Sequence, residues 1–188
     1  MVSQPHPDAA DSAIALNCAV LTVSDTRTPA TDKSGQLAQE RLGGAGHRIA
    51  EYQILPDEPE AIATLVQQWC ERSPGQSPGQ SQEGSSVDDA IVDVIILSGG
   101  TGIAPRDTTY EAIAALLQKT IPGFGELFRS LSYQEIGSRA MTSRAIAGIR
   151  HQTLIFSLPG SSNAVRLALD ALILPEIRHL HRLINPNP

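Results

Sequence analysis

The sequence has 188 residues, of which 41% are apolar and 18% charged, and its formal net charge is −6 at pH 7. This length predicts one domain whose core is large enough to fold without disulfides or metal ions. The acidic balance argues against a nucleic-acid-binding protein, which would need a basic surface.

The first part of the chain predicts a tail followed by two strand-helix units. Residues 1–15 are rich in proline, aspartate and small residues, as in a flexible tail. Continuous apolar runs predict strands at 18–24 and 48–55. A helix is expected at 32–43, and a second one begins near Pro59 with an apolar face formed by Ile62, Leu65, Val66 and Trp69.

The middle of the chain carries an insertion and a third strand-helix unit. Residues 73–89 contain repeated Ser-Pro-Gly-Gln segments that bury no apolar surface, which predicts a flexible and dispensable surface loop. A buried strand is predicted at 92–98. The next helix opens with Thr108 and Glu111 at the spacing of a capping box.

The last part predicts two helices around a β-hairpin. One helix has an apolar face formed by Phe124, Leu127, Phe128 and Leu131. Strands at 144–149 and 153–158 flank a short turn, which indicates one antiparallel strand. The final helix contains Pro175, which should kink or interrupt it. The repeated βα order predicts a three-layer α/β/α sandwich with a mostly parallel sheet.

The domain is therefore expected to span 16–182, with 183–188 as a C-terminal tail. The apolar segment 13–23 is too short to cross a membrane, and no basic signal-peptide region precedes it. Cys18 and Cys70 lie in separate apolar segments, as buried reduced thiols do. We expect a cytoplasmic protein.

Three of the predicted strands end in loops suited to binding anions. The first strand ends at Ser24 and Asp25, the third runs into the glycine-rich loop 98–107, and the fifth into the turn 159–163. Glycines and hydroxyls before a helix let backbone N–H groups approach an oxyanion. Ligands of open α/β sheets bind at this edge. A tight strand-to-helix connection without a ligand would produce the same pattern.

Two common nucleotide motifs do not fit the glycine-rich loop. A Walker loop is excluded because no Gly-Lys-Ser/Thr follows. A dinucleotide fingerprint is disfavoured because Pro105 stands where that motif needs glycine, and no acidic residue lies at the expected distance.

Two aspartates at the strand ends are candidate Mg²⁺ ligands. Asp57 follows the second strand, and Asp107 precedes Thr108. Carboxylate oxygens suit Mg²⁺, which keeps nucleotide phosphates in its shell. Asp57 could instead cap the helix behind it, whereas Thr108 as the cap would leave Asp107 without a structural task. Nearby cations that could contact phosphates, or simply be solvated, are Arg27, Lys33, Arg106, Arg139 and Arg144.

Six motifs, taken together, resemble the MoaB/MogA family of molybdenum cofactor biosynthesis proteins. The longest is residues 97–112 (LSGGTGIAPRDTTYEA), and the others are 23–25, 55–58, 122–126, 143–145 and 158–161. They occur in the family's order between about residues 17 and 178. Residues 128–137 and 143–148 are more similar to the MoaB branch than to MogA.

The resemblance implies the molybdopterin-binding fold and a molybdopterin adenylyltransferase. Such proteins transfer AMP from Mg-ATP to the terminal phosphate of molybdopterin and release pyrophosphate. The resemblance assigns catalysis and Mg²⁺ binding to Asp57 and Asp107. It assigns substrate binding to Ser24, Asp25, Gly99, Gly100, Thr101, Gly102, Glu126, Ser143, Arg144, Pro159, Gly160 and Ser161.

The resemblance leaves one functional alternative, a non-catalytic molybdopterin-binding or delivery protein of the MoaB branch. It also implies a homo-oligomer, either a trimer or a hexamer, and a MoeA-type partner that inserts molybdate. Retention of Pro105, Arg106 and Asp107 favours the catalytic function over the alternative.

Overall fold

A computed structural model of the chain describes residues 14–71 and 91–186. Its strands are β1 (Asn17–Val23), β2 (Arg48–Leu55), β3 (Val94–Ser98), β4 (Lys119–Thr120), β5 (Ile146–Arg150) and β6 (Thr153–Leu158). They form one six-stranded sheet in the order β2-β1-β3-β6-β5-β4. Strands β2, β1, β3 and β6 run parallel, and β5 is antiparallel to both of its neighbours.

Helices cover both faces of this sheet. They are α1 (Lys33–Gly44), α2 (Pro59–Cys70), α3 (Thr109–Leu116), α4 (Pro122–Ile136), α5 (Ser162–Ala168) and α6 (Leu174–Ile184). A 3-10 turn (Gly137–Thr142) follows α4, and a π-helical segment (Leu169–Ile173) joins α5 to α6. No helix in the described ranges is both long and apolar enough to cross a membrane.

Two apolar cores lie on opposite faces of the sheet. Along β1, Val20 points to the face covered by α1, α4, α5 and α6, while Leu21 points to the face covered by α2 and α3. Ile95 and Ile96 of β3 divide in the same way. This alternation is the period-two geometry of a strand buried on both sides. The predicted three-layer sandwich with one antiparallel strand is confirmed.

The proline in the last helix has the predicted effect. Pro175 lies in the first turn of α6, directly after the π-helical segment. Because proline cannot donate a backbone hydrogen bond, the regular ladder cannot continue through it. The turn between β5 and β6 is also confirmed, with His151 in the left-handed region at φ 53°.

Several predictions need correction. The short, exposed strand β4 was not predicted. The capping box is wrong, because Thr108 makes no side-chain cap bond to α3. Ile14 belongs to the fold rather than to a tail, since its carbonyl oxygen accepts a 2.9 Å bond from Arg178. Helix α6 continues to Ile184, beyond the predicted limit. Residues 1–13 and the insertion 73–89 lie outside the described residues.

Candidate functional site

All six motifs meet at one edge of the sheet. The parallel strands β1, β2, β3 and β6 end there, and the loops that follow them carry four of the motifs. Strand β5 runs the other way, so Ser143 and Arg144 precede its start at this edge. Strand β4 is antiparallel to β5, which brings the beginning of α4 there as well. The topology therefore assembles a site from residues distant in sequence.

The glycines of the loop after β3 (residues 99–108) allow a close approach of neighbouring chain segments. Gly99 has φ +114°, and a side chain there would collide with the carbonyl of Val23. Gly100 has φ +61°, and a side chain there would collide with Asp57 and Thr109. Such backbone conformations are strained for any residue with a Cβ. Glycine is therefore required here both for conformation and for space.

Asp57 holds the start of α3 instead of capping α2. Its Oδ1 accepts hydrogen bonds from the Thr108 hydroxyl at 3.0 Å, the Thr109 hydroxyl at 3.2 Å and the Thr108 amide at 3.4 Å. Helix α2 has no side-chain cap bond. The sequence predicted that Thr108 would cap α3, but the start of this helix is bonded to Asp57 in the loop after β2. Because these bonds use Oδ1, the Oδ2 atom remains near the backbone of Gly100.

Asp107 also has a structural role, contrary to the sequence interpretation. Its Oδ2 accepts a 2.9 Å hydrogen bond from the amide of Ala104, and its own amide donates to the Ala104 carbonyl at 2.8 Å. These bonds close a tight turn in the loop after β3. A side chain at Gly102 would collide with the Asp107 carboxylate. The aspartate therefore stabilises the conformation of the loop that presents it.

Arg144 fixes the loop after β3 to α3. Its Nε donates to the carbonyl of Thr101 at 3.1 Å, and one terminal nitrogen donates to that of Asp107 at 3.2 Å. The guanidinium also forms an ion pair with Glu111 and lies 4.9 Å from the centre of the Tyr110 ring. The hydrogen bond from Arg144 holds the pKa of Glu111 below its ordinary value. Arg144 is thus engaged within the protein rather than directed at solvent.

A second polar network, which the sequence analysis missed, supports the loop after β1. Arg27 forms a 3.2 Å ion pair with the buried Asp32 and donates to the Gly160 carbonyl at 3.0 Å. Asp32 also accepts bonds from Ser34 at 2.9 Å and from Tyr52 at 2.8 Å. Arg27 thereby joins the loop after β1 to the turn after β6. The sequence showed Asp32 at the start of a helix and Arg27 as a nearby cation, but not that the two form an ion pair.

The protonation of Asp32 follows from two opposing effects. Burial alone would raise the pKa of this carboxyl group, because it disfavours the charged form. Hydrogen bonds from surrounding hydroxyls and from the Gly35 amide favour the carboxylate and outweigh burial, so the pKa is held below its ordinary value. Asp32 is therefore a charged partner for Arg27 at neutral pH.

A cleft of about 570 Å³ opens beside this network, between the loop after β1 and strand β2. Ser24, Asp25, Arg27 and Tyr52 line it. Asp25 lies between neighbouring loops, since its carboxylate accepts a 3.3 Å bond from the amide of Asp57 and is 3.7 Å from the guanidinium of the exposed Arg106.

The remaining predicted residues lie around the same edge. Ser161 caps α5, its hydroxyl accepting a 3.2 Å bond from Ala164. Thr101 is buried, and Ser143 is partly exposed. Glu126 is exposed on α4, where it lines a smaller cavity of about 240 Å³. The structure therefore brings the predicted residues to one edge, where Ser24 and Asp25 line the larger cavity and Glu126 lines the smaller one.

The two candidate Mg²⁺ ligands are compatible with a cation that arrives with a substrate. Asp57 uses Oδ1 and Asp107 uses Oδ2 in the hydrogen bonds above, so each carboxylate keeps one oxygen for another ligand. Within the described ranges, no group of three or more His, Cys, Asp or Glu side chains could hold a metal ion. A cation here would need further oxygens from phosphate or water, as Mg²⁺ commonly has.

A family model and individual relatives both relate the chain to molybdenum cofactor biosynthesis proteins. Residues 19–75 and 80–179 match the family described as "Probable molybdopterin binding domain". The chain is 47% identical over 185 residues to Molybdenum cofactor biosynthesis protein B of Bacillus subtilis, a match covering 98% of each protein. It is 49% identical over 170 residues to the protein of that name from Halalkalibacterium halodurans, covering 90% of each.

Solved structures agree with these relatives. A crystal structure of Molybdenum cofactor biosynthesis protein B has a TM-score of 0.80 at 46% identity, covering 93% of this chain and 98% of the other. The tungsten cofactor synthesizing protein MoaB from Pyrococcus furiosus has a TM-score of 0.72 at 33% identity, covering 90% and 97%.

Proposed function

The chain belongs to the family of probable molybdopterin-binding domains, and on that premise we propose that it is a molybdopterin adenylyltransferase. It would transfer AMP from Mg-ATP to the terminal phosphate of molybdopterin, forming adenylyl-molybdopterin and pyrophosphate. The observation that carries the proposal is the position of two carboxylates at the loop after β3: Asp57 lies beside Gly100, and Asp107 lies beside Gly102. Relatives named for molybdenum cofactor biosynthesis support the pathway.

Backbone groups of the glycine-containing loops are suited to holding the phosphates. Gly99 and Gly100 bring the loop after β3 against the ends of its neighbours, and the turn at Gly160 lies against Gly99. Amides in such loops can donate to phosphate oxygens without a side chain in the way. These contacts would place the molybdopterin phosphate and the α-phosphate of ATP next to each other.

Transfer of AMP then depends mainly on how the two substrates are positioned and on how the charges of their phosphates are neutralised. A terminal phosphate oxygen of molybdopterin attacks the α-phosphorus of ATP in line, and the bond from that phosphorus to the pyrophosphate oxygen breaks. Mg²⁺ held by Asp57 and Asp107 would supply charge neutralisation for the two substrates and for the leaving pyrophosphate. The hydrogen bonds of the two aspartates keep their carboxylates fixed in the loop.

The alternative is a protein that binds or delivers molybdopterin without turnover. One observation favours it: Asp57 and Asp107 each make hydrogen bonds that stabilise the loop after β3. The loop would therefore need both aspartates for its conformation even in a protein without catalysis. The two functions share the same binding edge and differ only in the Mg-dependent consumption of ATP.

Replacing Asp107 by asparagine separates the two roles of this residue. Asp107→Asn keeps an oxygen that can accept from the Ala104 amide, but removes the charge that would bind Mg²⁺. We expect adenylylation at least about a hundredfold slower, with near-native molybdopterin affinity. Asp170→Asn, which changes an aspartate of the π-helical segment that pairs with Arg41, is the matched control.

Three outcomes of this assay decide between the functions. Mg-dependent ATP consumption by the wild-type chain in the presence of molybdopterin, lost in Asp107→Asn, supports adenylyl transfer. A wild-type chain that binds molybdopterin but consumes no ATP supports the delivery protein. Normal turnover by Asp107→Asn contradicts the assignment of Asp107 as a metal ligand.

The proposal extends to assembly and location. We propose a cytoplasmic homo-oligomer, a trimer or a hexamer, that hands its product to a MoeA-type partner. Large apolar side chains are exposed on α4 and on the 3-10 turn after it, as is common where proteins associate: Leu127, Tyr133, Ile136 and Met141. Light scattering that gives a monomer at micromolar concentration would contradict the oligomer.

A further inference from the structure

A second cavity lies at the same edge of the sheet, beside the start of α4. Its volume is about 240 Å³, below the roughly 300–1,000 Å³ of cavities that enclose a whole drug-sized ligand. It can therefore hold one part of a larger ligand. Its walls include the polar residues Tyr110, Thr120, Glu126 and Arg129 and the apolar residues Ile121 and Ile146.

Two charged side chains of this cavity have no partner within the described part of the chain. Arg129 is partly buried, yet its guanidinium makes no ion pair or hydrogen bond there. Glu126, one helical turn earlier, is likewise unpaired. Residues three apart on a helix often pair with each other. Here each keeps its hydrogen-bonding capacity for another molecule.

Glycine at position 125 leaves the space that the Arg129 guanidinium occupies. A Cβ at Gly125 would lie 3.1 Å from the Nη1 atom of Arg129 and 2.8 Å from the carbonyl oxygen of Ala145. The guanidinium therefore folds back over the glycine, toward the cavity, instead of extending into solvent. A half-buried cation without an anion is costly, because burial removes part of its hydration.

Tyr110 lies between this cavity and the loop after β3. Its ring lines the cavity, while the guanidinium of Arg144, which is bonded to that loop, lies 4.9 Å from the ring centre. The two regions are thus adjacent and share one wall. A ligand whose phosphate rests at the loop after β3 could extend its other end past Tyr110 into the cavity.

We propose that this cavity binds the pterin end of the ligand through the 2-amino-4-oxopyrimidine edge of its ring. This inference rests on the proposed function for the identity of the ligand. That edge presents one carbonyl oxygen, one ring N–H and one amino group. Arg129 donates to the carbonyl oxygen, and the Glu126 carboxylate accepts from the ring N–H and the amino group. The two unpaired charges match this pattern of one acceptor and two donors.

A test with free pterin avoids any dependence on ATP. Pterin binding is followed through the quenching of its fluorescence, for the wild type and for Glu126→Gln and Arg129→Gln. Each variant should bind at least about tenfold more weakly, because the bound pterin edge loses a charged hydrogen-bonding partner. Glu135→Gln lies on the same helix but pairs with Arg166 and does not line the cavity. Its affinity should stay within about twofold.

A second ligand tests the proposed edge itself. Lumazine has a carbonyl where pterin has the 2-amino group, so the Glu126 carboxylate would face an acceptor instead of a donor. The wild type should prefer pterin by about tenfold or more, and Glu126→Gln should lose this preference. Circular dichroism melting of every variant verifies that the fold is intact.

The outcomes separate this inference from the proposed enzyme. No pterin binding by the wild type, equal affinity for pterin and lumazine, or variants that bind like Glu135→Gln would overturn the assignment of the cavity. Pterin binding with the expected losses in a chain that consumes no ATP supports the cavity and contradicts adenylyl transfer.

Discussion

Replacing Arg144 by alanine tests whether this residue holds the loop after β3 in place. In the structure it donates to the carbonyls of Thr101 and Asp107 at 3.1 and 3.2 Å. It also pairs with Glu111 and lies on the ring of Tyr110. Its side chain is 27% exposed. The alanine variant removes all of these contacts, so the loop should open more often while the core of the sheet is unaffected.

The magnitude follows from the individual contacts. The two bonds to carbonyls should contribute about 1 kcal/mol each. The pair with Glu111 should contribute only about 0.5 kcal/mol, because that glutamate is 60% exposed. The contact with the Tyr110 ring should add about 0.5 kcal/mol. The sum of about 3 kcal/mol corresponds to roughly a hundredfold change in the opening equilibrium of the loop.

Amide hydrogen exchange measures this opening directly. The amides of Asp107 and Thr109 donate to Ala104 and Gly100 at 2.8 and 3.0 Å, so their exchange reports loop order. In Arg144→Ala both should exchange roughly a hundredfold faster. Arg144→Lys should restore only a small part, because lysine keeps the charge but lacks the fork that reaches two carbonyls.

A matched control is available at a different place in the fold. Arg150 donates to the Leu116 carbonyl at 3.2 Å and pairs with Glu71 at 3.3 Å, contacts of the same kind. Arg150→Ala should lower stability without changing exchange in the loop after β3. The reasoning is refuted if exchange of the Asp107 amide is unchanged in Arg144→Ala, or if Arg150→Ala accelerates it equally.

Three further changes test other parts of the molecule. Gly100→Ala should lower the unfolding free energy by more than about 2 kcal/mol in urea titration, because its Cβ would collide with Asp57 at a positive φ. The wild type should lose on the order of 3 kcal/mol of unfolding free energy between about pH 6.5 and pH 4, and His47→Gln should lose much less, as measured by denaturation across pH. Replacing residues 73–89 by a short Gly/Ser turn should keep the melting temperature within a few degrees, since loop length costs little entropy.

Each of these changes has a control or a contradicting result. Gly43→Ala on α1 meets nothing within 4 Å and should be neutral or slightly stabilising. Burial, with Arg178 nearby, lowers the pKa of His47 to about 4. Its neutral form is therefore favoured in the fold, and stability falls as the pH drops below about 6.5. An unchanged pH profile in His47→Gln, or insoluble protein after loop replacement, would contradict the respective argument.

The fold was predictable because its signals are local. Continuous apolar runs identify strands buried on both faces, and β3 is an example, with every residue buried. Proline positions at the start of α2 and in α6 also act within a few residues. Strand β4 was missed because it has two exposed residues and no apolar pattern of its own.

The contacts of the site were less predictable because their partners are distant in sequence. Thr108 has the residue type and spacing of a helix cap, but its hydroxyl donates to Asp57, 51 positions away. The pairing of Arg27 with the Gly160 carbonyl spans 133 positions. Arg129 follows Glu126 at the spacing of a surface ion pair, so the sequence alone would predict that the two residues pair with each other. It gave no indication that both line a cavity. Only the topology brings these groups together.

The structure also changes the electrostatic interpretation of the site. Two arginines that could have contacted phosphates are used within the protein, Arg27 by Asp32 and Gly160, and Arg144 by Glu111 and two carbonyls. Asp57 and Asp107, in contrast, accept hydrogen bonds but form no ion pair with any residue of the ranges 14–71 and 91–186. A phosphate placed beside these two carboxylates would therefore be repelled by their negative charge. A divalent cation that arrives with a nucleotide relieves this repulsion, which is why the proposed function requires Mg-ATP and not ATP alone.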